Sequence, residues 1–352
     1  MIKREENKTK DIPILVSPIA ESDAGASKLE ITLRPQTLKE YIGQTEVKQN
    51  LKIFIEAARK RKEPIEHILI HSPAGLGKTT LANIISNEIG SNLKISSGPV
   101  LEKQGDIAAI LTNLQPGDVL FIDEIHRLRP VVEEILYSAM EDFGIDLMLG
   151  KGASAKSVRI GLPKFTLIGA TTKISMLSSP LRDRFGHIFR LNFYTEEEIK
   201  KIILRSAGIL NTKITDKAAE KLANSSRYTP RIANRLLRRI RDFAEFENAT
   251  EISEGIVDSS LKALGVDEIG LDSTDRNLLK TIIEKFGGGP VGLNTLSAAT
   301  SEEEETIEDI YEPFLMKLGF LERTQKGRIA TSNAYQHFGL KCIQKQNESS
   351  LF

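Results

Sequence analysis

The sequence predicts an α/β core with a parallel sheet flanked by helices, followed by an all-helical domain and a C-terminal winged-helix domain. Two apolar runs that end in polar motifs, within residues 68–85 and 118–128, are typical of buried strands in a parallel sheet. From residue 195 the pattern changes to consecutive amphipathic helices. From about residue 270, three helical segments and two strands follow in the order of a winged helix-turn-helix.

Length and composition limit the class of protein. The 352 residues are enough for two or three domains with apolar cores. Lys and Arg together number 48, as do Asp and Glu, so any nucleic-acid contact must come from local clusters. The single cysteine, Cys342, excludes an intrachain disulfide and a cysteine metal site. No apolar run reaches the length of a membrane span, so we expect a cytoplasmic protein without a signal peptide.

The stretch ILIHSPAGLGKTTLANII at 68–85 predicts a strand, a glycine-rich turn and a helix that begins at Lys78. The backbone N–H groups of such a turn and the positive end of the helix attract phosphate. Lys78 is suited to the β- and γ-phosphates, the Thr79 hydroxyl to Mg²⁺ and Thr80 to the α-phosphate. The motif therefore predicts a site for a nucleoside triphosphate.

The turn departs from the usual pattern at its first position. Ser72 stands where a glycine is usual, so the motif reads SxxxxGKT. Gly75 and Gly77 keep the backbone freedom at the positions closest to the helix.

The second polar motif is Asp123-Glu124, which follows the apolar residues 119–122. Asp123 can order Mg²⁺ through its waters, and Glu124 can polarise a water for attack on the γ-phosphate. A helix cap would explain the same dipeptide, so its weight comes from its pairing with the phosphate loop. We interpret His126 as a surface or packing histidine, because no second His or Cys lies at metal-ligand spacing.

A further buried strand, FTLIGATT at 165–172, ends in two hydroxyls. Thr171 and Thr172 would lie near the γ-phosphate if this strand is next to the strand that ends at Asp123. Arg182 and Arg184 follow in SPLRDRFG. They either form surface ion pairs or serve the nucleotide of a neighbouring subunit.

Between these motifs, IDLMLG and SVRIGL predict a hairpin that projects from the core. Its apolar residues either pack inward or form an exposed docking surface, and the sequence leaves both interpretations open. These residues are Ile145, Leu147, Leu149, Val158 and Ile160.

Charges distinguish the last two domains. In the arginine-rich helix TPRIANRLLRRIRDFAEF, Arg231 lies in the first turn, near where a lid would fold over the phosphates. The recognition helix of the winged domain begins with Glu302 to Glu305, which would repel DNA phosphates. The wing is basic and could contact the DNA backbone or dock a protein. Its basic residues are Lys317, Arg323, Lys326 and Arg328.

Together, LRPQTLKEYIGQ, the phosphate loop, LFIDEIHRL, the hairpin, GATT, SPLRDRFG, TPRIANRLLRRIRDF, GGGPVGL and GFLERTQKGRIAT resemble the RuvB family of AAA+ motors. The resemblance covers about residues 31–340. It implies an ATP- and Mg²⁺-dependent helicase that forms a hexameric ring on duplex DNA and drives Holliday junction branch migration in recombination and repair. It also implies a RuvA tetramer, docked through the hairpin at 145–160, and the resolvase RuvC as partners.

The resemblance assigns roles to single residues. The nucleotide site would include Leu33, Arg34, Glu141, Asp142, Phe143 and Tyr194. Thr172 would sense the γ-phosphate, Arg184 would act on a neighbouring subunit's nucleotide and Arg231 would be the second sensor. Arg323 and Arg328 would touch DNA. The chain departs from the family at Ser72, at Lys173, where Arg is usual, and at Gln325-Lys326, where a Pro-Arg pair is common.

These patterns predict a mobile N-terminal tail (1–30), a large AAA+ ATPase domain (31–193), a helical lid (194–268), a winged-helix domain (269–340) and a C-terminal tail (341–352). Two other functions remain open. An initiator or clamp-loader-like ATPase would switch a protein–DNA assembly instead of moving DNA. A nucleotide-gated DNA-binding scaffold would require Glu124 to be idle.

Overall fold

The computed structural model describes residues 32–149 and 156–341. Contacts divide the chain into a short unit that ends at Arg34 and a large unit that begins at Pro35, and every element below lies in the large unit. Residues 1–31, 150–155 and 342–352, which include Cys342, most of the predicted tails and the predicted tip of the hairpin, lie outside the described residues. No described helix is long and apolar enough to cross a membrane.

A parallel sheet forms the centre of the large unit and confirms the predicted fold class. Within the described residues its strand order is β2-β3-β6-β1-β7. Alternate residues of these apolar strands point to opposite faces: Phe121 and Ile168 pack in one core, and Leu120 and Leu167 in the other. The strands are β1 (Ile68–His71), β2 (Leu93–Ser97), β3 (Val119–Asp123), β6 (Thr166–Thr171) and β7 (His187–Arg190).

Helices cover both faces of the sheet and connect its strands. The β6 strand pairs with β3 on one side and β1 on the other, which is the arrangement on which the prediction for Thr171 and Thr172 depended. The carboxyl ends of the three strands therefore meet at one edge. The helices are α1 (Thr45–Arg61), α2 (Lys78–Ile89), α3 (Gln104–Thr112), α4 (Pro130–Asp142) and α5 (Ser179–Arg182).

The predicted hairpin is present as β4 (Gly144–Leu149) and β5 (Lys156–Gly161), which pair in antiparallel register. Its residues have different environments. Ile145 is fully buried, Ile160 is half-buried against the same core, and Val158 is 39% exposed. The base of the hairpin thus packs in the core through Ile145 and Ile160. Val158, nearer the tip, is an exposed apolar residue.

The lid consists of α6 (Glu196–Ile209), α7 (Asp216–Asn224), α8 (Pro230–Phe246) and α9 (Glu254–Ala263). Thr195 caps α6, because its hydroxyl accepts from the Glu198 N–H while the Glu198 carboxylate accepts from the Thr195 N–H. Apolar residues of the lid join the core on one face of the sheet. Of these helices, α9 was not predicted from the sequence.

The winged-helix domain has its own apolar core. Its wing is the hairpin of β8 (Leu321–Thr324) and β9 (Gly327–Ala330). The acidic helix consists of three consecutive segments: α12 (Glu304–Thr306), a wide, π-helical turn (Ile307–Tyr311) and α13 (Glu312–Lys317). The remaining helices are α10 (Ser273–Lys280), α11 (Leu293–Thr300) and the unpredicted α14 (Ser332–His337).

Two basic residues connect the winged-helix domain to the rest of the unit. Arg227, which precedes α8, pairs with Asp275 and, at 2.9 Å, with Asp272 at the start of α10. Lys173, just beyond β6, pairs with carboxylates of the acidic helix. Both basic side chains are largely buried, whereas some of their carboxylate partners are exposed, so these ion pairs are partly shielded from solvent.

Candidate functional site

The phosphate loop, residues 72–77, joins β1 to α2 at the carboxyl edge of the sheet. Gly75 and Gly77 have φ angles of 82° and 101°, a region that side chains rarely adopt. Ser72 has no positive φ, so its conformation does not require the usual glycine. Its N–H donates to the Thr171 carbonyl at 3.1 Å, which ties the loop to β6.

Lys78 is buried at the start of α2, and its ammonium points back into the loop. Nζ donates to the carbonyl oxygens of Ser72, at 3.0 Å, and Pro73, at 3.4 Å. Burial lowers the pKa of Lys78, while Glu124 and nearby acidic groups oppose that shift. A phosphate oxygen is a stronger acceptor for an ammonium than a carbonyl oxygen. The side chain is therefore already directed into the space that a phosphate would enter.

Glu124 begins the turn after β3 with a left-handed backbone, φ 46°, which is uncommon for a residue with a side chain. Gly98 makes this backbone possible, because a Cβ at Gly98 would collide with the Glu124 carbonyl oxygen. The turn directs the Glu124 carboxylate toward the end of β6. Asp123, the last residue of β3, accepts from the Glu124 N–H at 3.0 Å.

The Glu124 carboxylate contacts two groups from neighbouring elements. Its Oε2 accepts from the Thr172 hydroxyl at 3.3 Å and lies 3.3 Å from His126 Nδ1. His126 Nδ1 is also 2.9 Å from the Thr171 hydroxyl. Of the two environments predicted for His126, the structure excludes the surface, because the side chain is 2% exposed, and places the ring in the interior beside the predicted catalytic carboxylate.

The lid approaches the loop from the other side. Arg231, in the first turn of α8, lies so close that a Cβ at Gly75 would be 3.3 Å from the Arg231 Cβ. Tyr194 donates to the Leu76 carbonyl at 3.4 Å, and burial raises its pKa to about 12. The structure thus brings Lys78, Asp123, Glu124, Thr172 and Arg231 together at one edge of the sheet.

A second group of predicted site residues lies at the edge of the sheet formed by the amino ends of the strands, opposite the phosphate loop. Phe143 packs on His67 and Phe165, which precede β1 and β6, whereas the phosphate loop and Thr172 follow those strands. Arg184 donates to Glu141 at 3.1 Å, and Asp142 accepts from Arg159 at 3.0 Å. Glu141, Asp142, Phe143 and Arg184 are therefore not part of this subunit's own phosphate site. Leu33 and Arg34 belong to the separate N-terminal unit.

The residues at the carboxyl edge fit a magnesium–nucleotide complex. Among residues 32–149 and 156–341, no cluster of three or more His, Cys, Asp or Glu side chains could hold a metal ion. Mg²⁺ at nucleotide sites needs only one or two protein ligands, since phosphates and waters supply the others. Asp123 and Thr79 offer the hard oxygen donors that Mg²⁺ prefers.

Two basic residues of the wing, Arg323 and Arg328, are paired within the domain. Arg328 is 8% exposed, and its Nε donates to the Glu312 carboxylate at 2.5 Å. Arg323 is half-exposed, and its Nη2 pairs with Glu308 at 2.8 Å. Arg328 is not available to a DNA phosphate in this conformation, so its predicted contact requires the pair with Glu312 to open. Lys326, in the turn of the wing, is exposed.

Lys173 brings the acidic helix next to the phosphate site. Its Nζ lies 3.1 Å from Asp309, 3.5 Å from Glu305 and 3.7 Å from Glu308. Desolvation lowers the pKa of Lys173, but the hydrogen bond to Asp309 and the three negative charges outweigh it and raise the pKa. Three acidic residues of this helix, one of them Glu305 from the stretch predicted to repel DNA, thus have a partner in the core.

Family models match consecutive segments of the chain. Residues 33–191 match the P-loop domain of the Holliday junction DNA helicase RuvB, residues 194–267 match the RuvB AAA lid domain, and residues 268–339 match the RuvB C-terminal winged-helix domain.

Solved structures show the same likeness. The Thermotoga maritima RuvB Holliday junction branch migration motor is 51% identical, with 88% of this chain and 99% of that chain covered and a TM-score of 0.81. A variant of that protein has 51% identity, the same coverage and a TM-score of 0.83. The Aeropyrum pernix ORC2 protein is 15% identical over 82% of this chain and 90% of that chain, with a TM-score of 0.52, which shows the fold alone.

Proposed function

Because the chain belongs to the RuvB family, whose domain models together match nearly all of residues 33–339, we propose that it is the motor of a RuvA–RuvB complex, forming a hexameric ring on duplex DNA. Family membership makes it an ATP hydrolase that acts on DNA in recombination and repair. Beyond family membership, we propose the ring, its partners and the roles of single residues.

The phosphate loop would bind ATP by replacing contacts that Lys78 now makes within the loop. Lys78 would exchange the carbonyl oxygens of Ser72 and Pro73 for oxygens of the β- and γ-phosphates. Thr80 would meet the α-phosphate. Mg²⁺, held through Thr79 and Asp123, would neutralise charge on the β- and γ-phosphates.

Hydrolysis would depend on the residues at the ends of β3 and β6. Glu124 would orient and polarise the attacking water, and Thr172 would sense the γ-phosphate. The contact between the Thr172 hydroxyl and Glu124 supports this assignment, because a γ-phosphate would compete with Glu124 for the same hydroxyl. Arg231 would report the nucleotide to the lid, since it is fixed in the first turn of α8.

A neighbouring subunit would complete the site. Arg184 and Glu141, with Asp142 and Phe143, lie at the edge of the sheet opposite their own phosphate loop. From there these residues could reach a nucleotide of an adjacent subunit but not their own. Tyr194 would contact the rest of the nucleotide from within the large unit, and the roles of Leu33 and Arg34 stay those that the resemblance implies.

The winged-helix domain would hold DNA through its wing and not through the acidic helix. Arg323 and, once its pair with Glu312 opens, Arg328 would bind backbone phosphates. RuvA would dock on the hairpin at 145–160, and the resolvase RuvC would cut the junction afterwards. We also propose that the domains end at residues 193 and 268 and that residues 1–30 and 341–352 are tails. The protein would act in the cytoplasm, where ATP and DNA are both accessible.

One observation carries the proposal: a single chain joins a phosphate site that contains Lys78, Glu124, Thr172 and Arg231 to a winged-helix domain of the RuvB type. The test is the dissociation of a mobile four-way DNA junction by the purified chain, with and without ATP and RuvA. We expect strand separation only with ATP, and faster with RuvA.

Two variants connect the junction assay to the site. Lys78→Ala should lose ATP binding, whereas Glu124→Gln should bind ATP and lose turnover, and neither should separate the junction. ATP hydrolysis by the wild type without any movement of the junction, in the presence of RuvA, would favour the initiator or clamp-loader-like alternative. Equal ATP affinity of Lys78→Ala and the wild type would contradict the phosphate-site assignment.

A further inference from the structure

We infer that His126 is a positioning residue for hydrolysis, whose Nδ1, 3.3 Å from Glu124 Oε2, keeps that carboxylate in place. The inference rests on the proposed role of Glu124 as the group that orients water. It assigns a function to a buried histidine that the phosphate-binding motifs do not include.

The position of His126 brings one ring nitrogen, Nδ1, close to both Thr171 and Glu124. His126 lies in the short 3-10 turn Ile125–Arg127, directly after Glu124, and its side chain is almost completely buried. Nδ1 faces two oxygens, the Thr171 hydroxyl at 2.9 Å and Glu124 Oε2 at 3.3 Å. The ring therefore bridges the end of β6 to the turn after β3.

The chemistry of these oxygens determines where the proton lies. A carboxylate accepts hydrogen bonds and cannot donate one, so a bare Nδ1 lone pair at this distance would repel Oε2. The Thr171 hydroxyl already accepts from the Lys173 N–H at 2.9 Å. The Thr171 hydroxyl can accept from Nδ1–H or donate to a bare Nδ1, so it fits either tautomer. The Glu124 carboxylate, which can only accept, therefore favours the tautomer with hydrogen on Nδ1.

The ring is suited to hold Glu124 without neutralising it. Burial lowers the pKa of His126, although the charge of Glu124 opposes that shift, so the ring is neutral at pH 7. A neutral donor fixes the direction of the carboxylate and adds no full positive charge beside it. Glu124 therefore keeps its tendency to accept a hydrogen bond from water.

The contacts also determine which oxygen is held. His126 Nδ1 and the Thr172 hydroxyl both contact Oε2, and the carboxylate is about one-third exposed. Held through one oxygen, Glu124 can present Oε1 to a water molecule. Without His126, the Thr172 hydroxyl would be the remaining contact, and the proposed γ-phosphate would compete for it.

The test compares two replacements of His126 in the full chain. In His126→Asn, the side-chain amide can place an N–H near the position of Nδ1, whereas His126→Leu fills the space without a donor. We expect His126→Leu to lower kcat for ATP about 10- to 100-fold, because a misplaced catalytic group costs about this much. KM should change little, since Lys78 and the loop remain. His126→Asn should restore most of kcat.

His67 supplies a matched control for the effect of removing a buried histidine. Taken as whole residues, His67 and His126 are equally buried, each 8% exposed. The His67 ring, however, contacts the Met140 carbonyl and the Leu167 N–H at the amino ends of the strands. His67→Leu should lower the melting temperature and lower kcat of the folded protein less than His126→Leu does, because His67 touches Phe143 but not Glu124. Melting temperature and kcat are measured for all variants.

The outcomes separate the inference from the proposed role of Glu124. If His126→Leu and His126→Asn both keep wild-type kcat while Glu124→Gln is inactive, His126 does not position the carboxylate. If both His126 variants lose stability and kcat together, with no recovery in His126→Asn, the ring is only a packing residue. If Glu124→Gln keeps turnover, the role of Glu124 itself is wrong.

Discussion

At the scale of single residues, the strained backbone of Glu124 depends on the absence of a side chain at Gly98. Gly98→Ala would force the Glu124 carbonyl to move, and with it the carboxylate. We expect kcat to fall about 10-fold or more and the free energy of unfolding to fall by about 1–3 kcal/mol. Steady-state ATPase assays and denaturant titrations measure both quantities.

Gly105 is the matched control for this prediction. It lies in α3, and no atom is within 4 Å of the position that its Cβ would occupy. Gly105→Ala should leave kcat unchanged and stabilise the protein by about 0.5–1 kcal/mol, because alanine loses less backbone entropy in a helix than glycine. Equal kcat values for Gly98→Ala and Gly105→Ala would show that the Glu124 turn tolerates a shift.

The residues that sequence reasoning identified are those whose role follows from their neighbours in the chain. Lys78 and Thr79 belong to one loop, and Asp123 and Glu124 end one strand, so a local pattern is sufficient. The sequence left open whether His126 lies on the surface or packs inside, because its contact with Thr171 joins residues 45 positions apart. Arg328 was expected on a DNA-facing surface, and its pair with Glu312 likewise depends on packing between β9 and α13.

At the scale of elements, the hairpin of β4 and β5 contains both environments that the sequence left open. Val158 is 39% exposed, whereas Ile145 is fully buried. If the exposed part docks RuvA, Val158→Asp should weaken RuvA binding about 10-fold or more, since a charge would be desolvated at the interface. The melting temperature should stay near that of the wild type. Calorimetric titration and thermal melting measure these effects.

Ile145→Asp provides the contrast within the same hairpin. A carboxylate in the core should destabilise the protein by about 3 kcal/mol or more, because Ile145 is fully buried among apolar residues and the charge would lose its hydration. Wild-type affinity of Val158→Asp for RuvA would exclude Val158 from the docking surface. A large loss of stability in Val158→Asp would show that the exposed part of the hairpin also packs.

The three central strands, β1, β3 and β6, could be predicted because they are short, continuous apolar runs, which are typical of strands buried on both faces. The edge strands β2 and β7 were not predicted, because polar and exposed residues interrupt their apolar pattern. The helix α9 was not predicted, because its sequence EGIVDSSLKA contains glycine, two serines and β-branched residues, which have low helix propensity. The helix α14 was missed because it is short and follows the wing directly. The wide turn of the acidic helix at Ile307–Tyr311 has no local sequence signal that we can identify.

At the scale of the whole molecule, Lys173 connects the end of β6 to the acidic helix. A double-mutant cycle with Lys173→Met and Asp309→Asn should give a coupling free energy of about 1 kcal/mol, since the pair is direct and partly shielded from solvent. Lys173→Met should also increase hydrogen exchange in α12 and α13. Additive effects of the two substitutions would show that the ion pair does not hold the winged-helix domain to the core.

The arrangement of domains could not be predicted from the sequence. The acidic residues at 302–305 were predicted only to repel DNA, and the ion pairs of Lys173 with Glu305, Glu308 and Asp309, more than 130 positions away in the chain, were not predicted. Lys173 was noted only as a departure from the family pattern. Ion pairs of this kind depend on how folded domains dock, and neither hydrophobic periodicity nor a local motif reports that.

The central claim is that ATP is hydrolysed between adjacent subunits of a ring, and subunit mixing tests it most directly. Arg184→Ala subunits should be inactive alone, because a finger supplied by a neighbour typically contributes about 10³- to 10⁵-fold in rate. Lys78→Ala subunits, which keep Arg184, should also be inactive alone. In an equal mixture, about a quarter of all sites would combine an intact loop with an intact neighbouring Arg184. ATPase activity should therefore reappear on mixing, whereas no recovery in rings shown to contain both variants would contradict the claim.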